Sequence, residues 1–88
     1  MDEMLAWLKV DLGIITTAYD ERLLSYLANA KTQIQREGVT VNETDESDIN
    51  LIVMYAAWLW RRRDNMEAMP RMLRWLLNNR VFSEKMKS

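Results

Sequence analysis

The chemistry open to this chain is limited to carboxylates, hydroxyls, lysines and arginines, because its 88 residues include no histidine and no cysteine. A nucleophilic serine needs a neighbouring base, and zinc sites take histidine or cysteine ligands. The serines at positions 25, 47, 83 and 88 have no histidine base and no GxSxG context, and the sequence contains no glycine-rich phosphate loop. We therefore expect a protein that is not an enzyme and that uses no cofactor.

Four acidic residues, Glu43, Asp45, Glu46 and Asp48, form a dense carboxylate cluster. A calcium loop of the EF-hand type needs a defined ligand spacing and a central glycine, and both are missing here. Acids in the first turn of a helix cap its free N–H groups and interact favourably with its dipole. Capping of the following helix is therefore the preferred interpretation, and no metal site is predicted.

The most unusual stretch is LIVMYAAWLWRRR, in which ten apolar residues from position 51 precede Arg61, Arg62 and Arg63. A membrane-spanning helix needs about 18 to 20 apolar residues, so the run predicts a buried helix instead. Arginines at the end of that helix are stabilised by its dipole, by about 0.3 to 1 kcal/mol each. Two other roles stay open, namely ion pairs with the acidic half of a neighbouring copy and contact with a nucleic-acid backbone. Arg71 and Arg74 are further candidates for both.

Charge is divided unevenly along the chain. Residues 1–48 carry ten acids and four bases, a net charge of −6, whereas residues 49–88 carry three acids and eight bases, a net charge of +5. Either the acidic and basic helices match within one copy, or the acidic side of one copy faces the basic side of the next in a head-to-tail ring. The formal net charge of −1 disfavours tight DNA binding, since dedicated duplex-binding domains are basic overall.

Two glycines, one proline and abundant leucine, alanine and methionine favour an all-α fold. Helical periodicity predicts a compact bundle of about four helices, at residues 2–12, 18–37, 47–63 and 70–79. An acidic loop at 39–47 is interpreted either as mobile or as a short extended pairing, and DNMEAM before the fourth helix as a short turn.

Local signals predict where these helices begin and end. Gly13 and Gly38 are expected to terminate the first two helices, and Thr17 to cap the second. Pro70 suits the first position of the fourth helix, because its missing N–H would have no helical partner there. Asn79 is expected to end that helix.

The third predicted helix is apolar on two sides, and 88 residues offer few partners to cover both. Its second stripe, which comprises Leu51, Met54, Tyr55 and Trp58, is therefore expected to face a neighbouring subunit, where aromatic residues and methionine are enriched. The apolar face of the fourth helix is expected to comprise Met69, Met72, Leu73, Leu76 and Leu77. Trp75 lies off that face and should be partly exposed. The predicted subunit interface is Leu51, Met54, Tyr55, Trp58 and Trp75.

Five motifs together resemble a known family. They are LGI at 12–14, YD at 19–20, LLSYLANAK at 23–31 followed by Ile34, MYAAWLWRRR at 54–63 and MPRMLRWLLNNRVFSEK at 69–85. In this order they resemble the small head-tail connector proteins of tailed bacteriophages. The likeness covers nearly the whole chain, and its second half is the more distinctive part.

The resemblance implies a helical adaptor that is not an enzyme. Members of that family assemble beneath the portal as a ring of about a dozen subunits, lengthen the DNA channel and offer a surface to the next neck or tail protein. The chain is thus expected to be a structural virion protein of the neck, assembled in the cytoplasm of the bacterial host. Its expected partners are further copies of itself, the portal protein, a head-closure or tail-completion protein and, transiently and without sequence preference, the DNA in the channel.

The chain is expected to divide into an adaptor domain at residues 1–80 and a C-terminal tail at residues 81–88. The tail is predicted to be flexible, because two apolar residues there are followed by charged ones, and the resemblance implies that it is a docking segment. In such adaptors the C-terminal segment reaches onto the portal. The corresponding residues here are Val81, Phe82 and Lys85, with Phe82 as the apolar anchor.

Two other functions stay open from the residues themselves. A small nucleic-acid-binding packaging or regulatory subunit would use Arg61, Arg62, Arg63, Arg71 and Arg74, and its affinity would fall steeply with salt. A plain helical partner-binding domain would form a stable complex with one protein and no ring.

Overall fold

The computed structural model describes residues 2–64 and 66–87, and that part of the chain contains four α-helices. Helix α1 spans Asp2–Leu12, α2 spans Asp20–Arg36, α3 spans Glu46–Arg62 and α4 spans Arg71–Lys87. The prediction of an all-α bundle of about four helices is therefore confirmed, and the described residues contain no strand. Met1, Asn65 in the predicted turn and Ser88 at the end of the predicted tail lie outside the described residues.

Glycine and acidic residues locate most of the helix ends, as predicted. Gly13 and Gly38 follow α1 and α2 with φ angles of 71° and 103°, a left-handed region that glycine enters without the steric penalty of a Cβ. Asp45 caps α3, because its Oδ1 accepts a hydrogen bond of 2.8 Å from the Ser47 N–H. Pro70 directly precedes the first residue of α4 rather than occupying that position.

The predicted cap at Thr17 is wrong. Helix α2 begins at Asp20, and the residue before it, Tyr19, makes no side-chain capping hydrogen bond. The Tyr19 ring instead packs edge to face against Trp60, with ring centroids 5.8 Å apart. The start of α2 is therefore positioned by a tertiary aromatic contact with the end of α3.

Helix α3 lies at the centre of the fold. It packs against α1, α2 and α4, and α1 also contacts α2. Ile52 and Val53 of α3 have no exposed surface, and the same core takes in the fully buried Leu8 of α1, Leu27 of α2 and Leu77 of α4. Burial of each such side chain contributes roughly 1.5 to 3 kcal/mol, so the apolar run of α3 contributes substantially to the stability of the fold.

The expectation that the second stripe of α3 needs a neighbouring subunit is corrected. Leu51, Tyr55 and Trp58 are already buried within one copy, with exposed fractions of 5%, 7% and 8%, and Met54 is half-buried. The Trp58 indole N–H donates to the Glu67 carbonyl at 3.1 Å, so the segment before α4 covers this side of α3. These residues therefore belong to the core of the single subunit.

The C-terminal residues form helix rather than a flexible tail. Helix α4 continues through Asn79 to Lys87, so the predicted boundary at residue 80 falls inside a helix. Val81 is half-buried against the core, and Glu84 makes an ion pair of 3.0 Å with Arg80 one helical turn earlier. Val81 and the hydrogen bond from the Thr40 N–H to Glu84 attach this part of α4 to the domain.

Candidate interaction surface

Arg80 joins three segments of the chain at the inner side of α4. Its Nε and one terminal nitrogen contact the two carboxylate oxygens of Asp48, at 3.0 and 3.3 Å. The same terminal nitrogen donates to the Thr40 carbonyl, and the other terminal nitrogen donates to Glu84, each at 3.0 Å. A planar guanidinium holds its donors in a fixed fork that matches a carboxylate. Arg80 therefore fastens α4 to the start of α3 and to the loop between α2 and α3.

Asp48 is the buried member of this arrangement, with a side chain that is 4% exposed. Its Oδ2 also accepts a hydrogen bond of 2.8 Å from the Asn42 N–H, and the hydrogen bond from Arg80 to Asp48 raises the pKa of Arg80. At the other end of the loop, the Thr40 N–H donates to Glu84 at 3.0 Å. The acidic loop is thus held in place by side chains of α3 and α4, and residues 39–45 form no strand.

The outer side of α4 exposes a stripe of large apolar side chains. Met72, Trp75, Phe82 and Met86 have exposed fractions of 60%, 60%, 65% and 73%. With Asn79, which is also exposed, they are separated by alternating intervals of three and four residues, a spacing that places them on one helix face. We call these five residues the α4 outer stripe.

The inner side of α4 carries the helix's share of the core. Leu73 and Leu77 are 1% and 0% exposed, and they lie nearly opposite the α4 outer stripe at 3.6 residues per turn. Arg71, Arg74 and Lys85 follow one edge of the stripe by the same geometry. A set of large exposed apolar side chains on one helix face, interrupted here by Asn79 and edged by polar residues, is typical of a surface that binds another molecule.

A shallow groove with a volume of about 270 Å³ runs beside the stripe. Ser47 and Leu51 of α3 line one side, and Leu76, Asn79 and Ser83 of α4 line the other. Asn79 therefore belongs both to the groove and to the α4 outer stripe. The α4 outer stripe and this partly polar groove together form a surface that suits a helix or a loop of another protein.

Two of the three arginines that follow the apolar run stack on tryptophans of the same copy. The Arg63 guanidinium lies 3.7 Å from the centroid of the Trp60 ring and donates to the Trp60 carbonyl. Arg62 lies 4.9 Å from the centroid of the Trp58 ring. Both distances are cation–π geometries, and the bond to a carbonyl at the end of α3 agrees with the predicted stabilisation of the helix end. Arg61 is exposed.

The basic half of the chain is partly matched to the acidic half within one copy. Besides the Arg80 contacts, Arg74 lies 3.5 Å from the Glu37 carboxylate in a surface ion pair. Arg71, like Arg61, is exposed. Some of the acidic and basic side chains therefore pair within one copy, which was the first explanation offered for the uneven charge. Contacts of the predicted arginines with a neighbour or with DNA stay predictions.

The structure places some, but not all, of the residues predicted to dock on partners on one surface. Trp75 is exposed, as expected, and lies in the same stripe as Phe82 although the two were assigned to different contacts. Lys85 is exposed near the end of this face, whereas Val81 turns towards the core. The structure thus places Trp75 and Phe82 on one surface and leaves Val81 largely to the fold.

Sequence reasoning missed two features of this surface. Its pattern assigned Met72 to the inner face, but Met72 is 60% exposed; the heptad-like spacing of the stripe is recognisable only when the helix is continued past Asn79. The Arg80–Asp48 contact joins residues 32 positions apart, and no local spacing predicts such a pair.

Among the described residues, no group of three or more acidic side chains is arranged to hold a metal ion. No helix in this part of the chain has the length and apolar character needed to cross a membrane. No protein-family model, no curated protein and no solved structure matches the sequence.

Proposed function

We propose that the chain is a head-tail connector of a tailed bacteriophage, a structural adaptor that forms a ring under the portal. The ring would extend the DNA channel and provide the attachment surface for neck or tail proteins. The α4 outer stripe is the observation that carries this proposal, because one helix presents tryptophan, phenylalanine and methionine to solvent, and these residue types are enriched at protein interfaces. The order of the sequence motifs supports the choice of this family.

In this proposal the two ends of the stripe have different partners. Phe82 and Met86, with Lys85 beside them, dock on the portal protein. Met72 and Trp75 contact the adjacent subunit of the ring. Arg61 and Arg71 are exposed and are available either for an acidic neighbour or for weak contact with DNA, which must still slide through the channel.

Addition of the purified protein to portal-bearing, DNA-filled capsids that lack a connector tests this function. We expect ring-shaped density at the portal vertex in electron micrographs and retention of DNA that otherwise leaks out. Capsids without a portal are the control and should bind no protein. If portal-bearing capsids neither acquire a ring nor retain DNA, the connector function is wrong.

The exposed Arg61 and Arg71 also support the alternative of a nucleic-acid-binding subunit, and a salt titration separates the two functions. For a connector we expect weak binding to duplex DNA at low salt only. A nucleic-acid-binding subunit would bind tightly, and log affinity would fall linearly with log salt. In that case Arg61→Gln and Arg71→Gln should each reduce the slope by about one, whereas Arg74→Gln, which breaks a contact with Glu37, should change it less. A steep slope would favour the alternative.

A further inference from the structure

We propose that, in the free protein, the α4 outer stripe packs in parallel against the same stripe of a second copy. The resulting dimer is two-fold symmetric, and each copy covers the apolar face that the other exposes. The dimer forms in the isolated protein and is separate from the connector function, so its existence does not depend on whether the chain binds a portal. Three features of the stripe favour this dimer: its exposed area, the position of Asn79 and the charges at its edges.

The exposed area is sufficient for a weak dimer. Met72, Trp75, Phe82 and Met86 are each 60% to 73% exposed, and a large side chain of this kind presents about 150 to 250 Å² in full. Together they expose roughly 500 Å² per copy. A pair that covered all of this area would bury about 1,000 Å² in total, which is near the lower limit of specific interfaces. We therefore expect an association that depends on protein concentration rather than a permanent dimer.

The spacing of the stripe favours a second α4 as the occupant. Positions 72, 75, 79, 82 and 86 follow the a and d positions of a heptad, the arrangement in which two helices interlock side chains along a seam. Asn79 occupies the central a position. Against a purely apolar partner its amide would lose hydrogen bonds to water without replacement, whereas in a parallel pair it faces the Asn79 of the other copy and can bond to it.

The charges at the edges favour the parallel orientation. Arg71 and Lys85 lie along one edge of the stripe, and Leu76 and Ser83 lie along the other. An antiparallel pair centred on Asn79 would bring Arg71 of one copy near Lys85 of the other, and like charges repel. A parallel pair sets Arg71 beside Leu76 instead. The pairing leaves the core of each copy intact, because Leu73 and Leu77 lie on the opposite side of each α4 helix.

Disulfide cross-linking tests both the surface and the orientation, because the chain has no cysteine of its own. Met72→Cys and Met86→Cys are made as separate variants and equilibrated in a glutathione redox buffer, alone and mixed. A parallel pair predicts that each variant forms a disulfide dimer with itself and that the mixture yields little of the 72–86 product. Ile15→Cys, at a position that is 98% exposed but outside the stripe, is the control for random collision. Cross-linking no greater than this control, or a dominant 72–86 product, would overturn the proposal.

Sedimentation equilibrium from micromolar to millimolar protein provides the second measurement. We expect a monomer–dimer equilibrium whose dissociation constant rises about tenfold or more in Phe82→Ala. Asn79→Asp should also raise it, since two carboxylates would then meet at the seam. Ile15→Ala is the matched control and should leave it unchanged, and circular dichroism verifies that each variant keeps its helices. A wild-type protein that stays monomeric throughout, or equal effects of Phe82→Ala and Ile15→Ala, would rule the dimer out.

Discussion

Arg80→Ala is expected to lower the free energy of unfolding by about 3 kcal/mol. The substitution removes the guanidinium that lies 3.0 Å from the buried carboxylate of Asp48, and it also removes the hydrogen bond to the Thr40 carbonyl. A buried charge that loses its compensating cation costs far more than the lost contact itself, because the carboxylate stays shielded from water. Urea denaturation followed by circular dichroism measures the change.

Arg74→Ala is the matched control for this prediction. Arg74 also pairs with an acid of the first half of the chain, but both side chains of that pair are substantially exposed, at 47% and 35%. Exposed pairs contribute about 0 to 1 kcal/mol, so a small change is expected. Arg80→Lys should fall between the two, because it keeps the charge and loses the fork of donors. Similar losses for Arg80→Ala and Arg74→Ala would contradict the central role of Arg80.

The double variant Trp75→Ala with Phe82→Ala is expected to lose binding to portal-bearing capsids while keeping its fold. Both side chains are mostly exposed, at 60% and 65%, so their removal deletes little of the core. Alanine is also the strongest helix former, and the free energy of unfolding should change by no more than about 0.5 kcal/mol. Co-sedimentation with capsids measures binding, and urea denaturation measures stability.

Leu77→Ala provides the opposite pattern on the same helix. Leu77 has no exposed surface, and its truncation should destabilise the protein by about 2 to 5 kcal/mol without altering the α4 outer stripe. Variants that remain folded should still bind capsids. If the Trp75 and Phe82 substitutions instead reduce stability and binding equally, Trp75 belongs to the core and the docking role of the stripe is wrong.

The helices could be predicted from the sequence because their signals are local. Gly13 and Gly38 both adopt positive φ at the ends of their helices, a conformation that few other residues take. Asp45 lies where an acid can accept the N–H two positions later, and it does so. Such signals depend on a few neighbouring residues, so they need no knowledge of the tertiary packing.

The end of α4 could not be predicted in the same way. Asn79 is a reasonable C-terminal residue for a helix, but here tertiary contacts override that preference. Arg80 is bonded to Asp48 from another helix and to Thr40 from a loop, and Val81 packs on the core. The helix therefore continues past Asn79 because residues that are distant in sequence stabilise it. The local sequence pattern contains no information about those contacts.

The covering of α3 was mispredicted for a related reason. A helix that is apolar on two sides suggests a contact with a neighbouring subunit if only the other helices of the chain are considered able to cover it. In this fold, non-helical backbone and long polar side chains also contribute, since the Glu67 carbonyl accepts from Trp58 and the Arg62 guanidinium stacks on its ring. The aliphatic part of an arginine can cover apolar surface while its charge stays in water.

The alternation of inner and outer residues along α4 has an evolutionary consequence. Leu73, Leu77 and Arg80 hold the helix on the domain, whereas Trp75 and Phe82, each two positions from the nearest of them, are mostly exposed and lie outside the core. Under the proposed connector function, selection for partner binding acts on substitutions in the second group, and selection for folding acts on those in the first. A lineage can therefore change the specificity of this helix one residue at a time, and two descendants with the same fold can come to recognise different partners without passing through an unfolded intermediate.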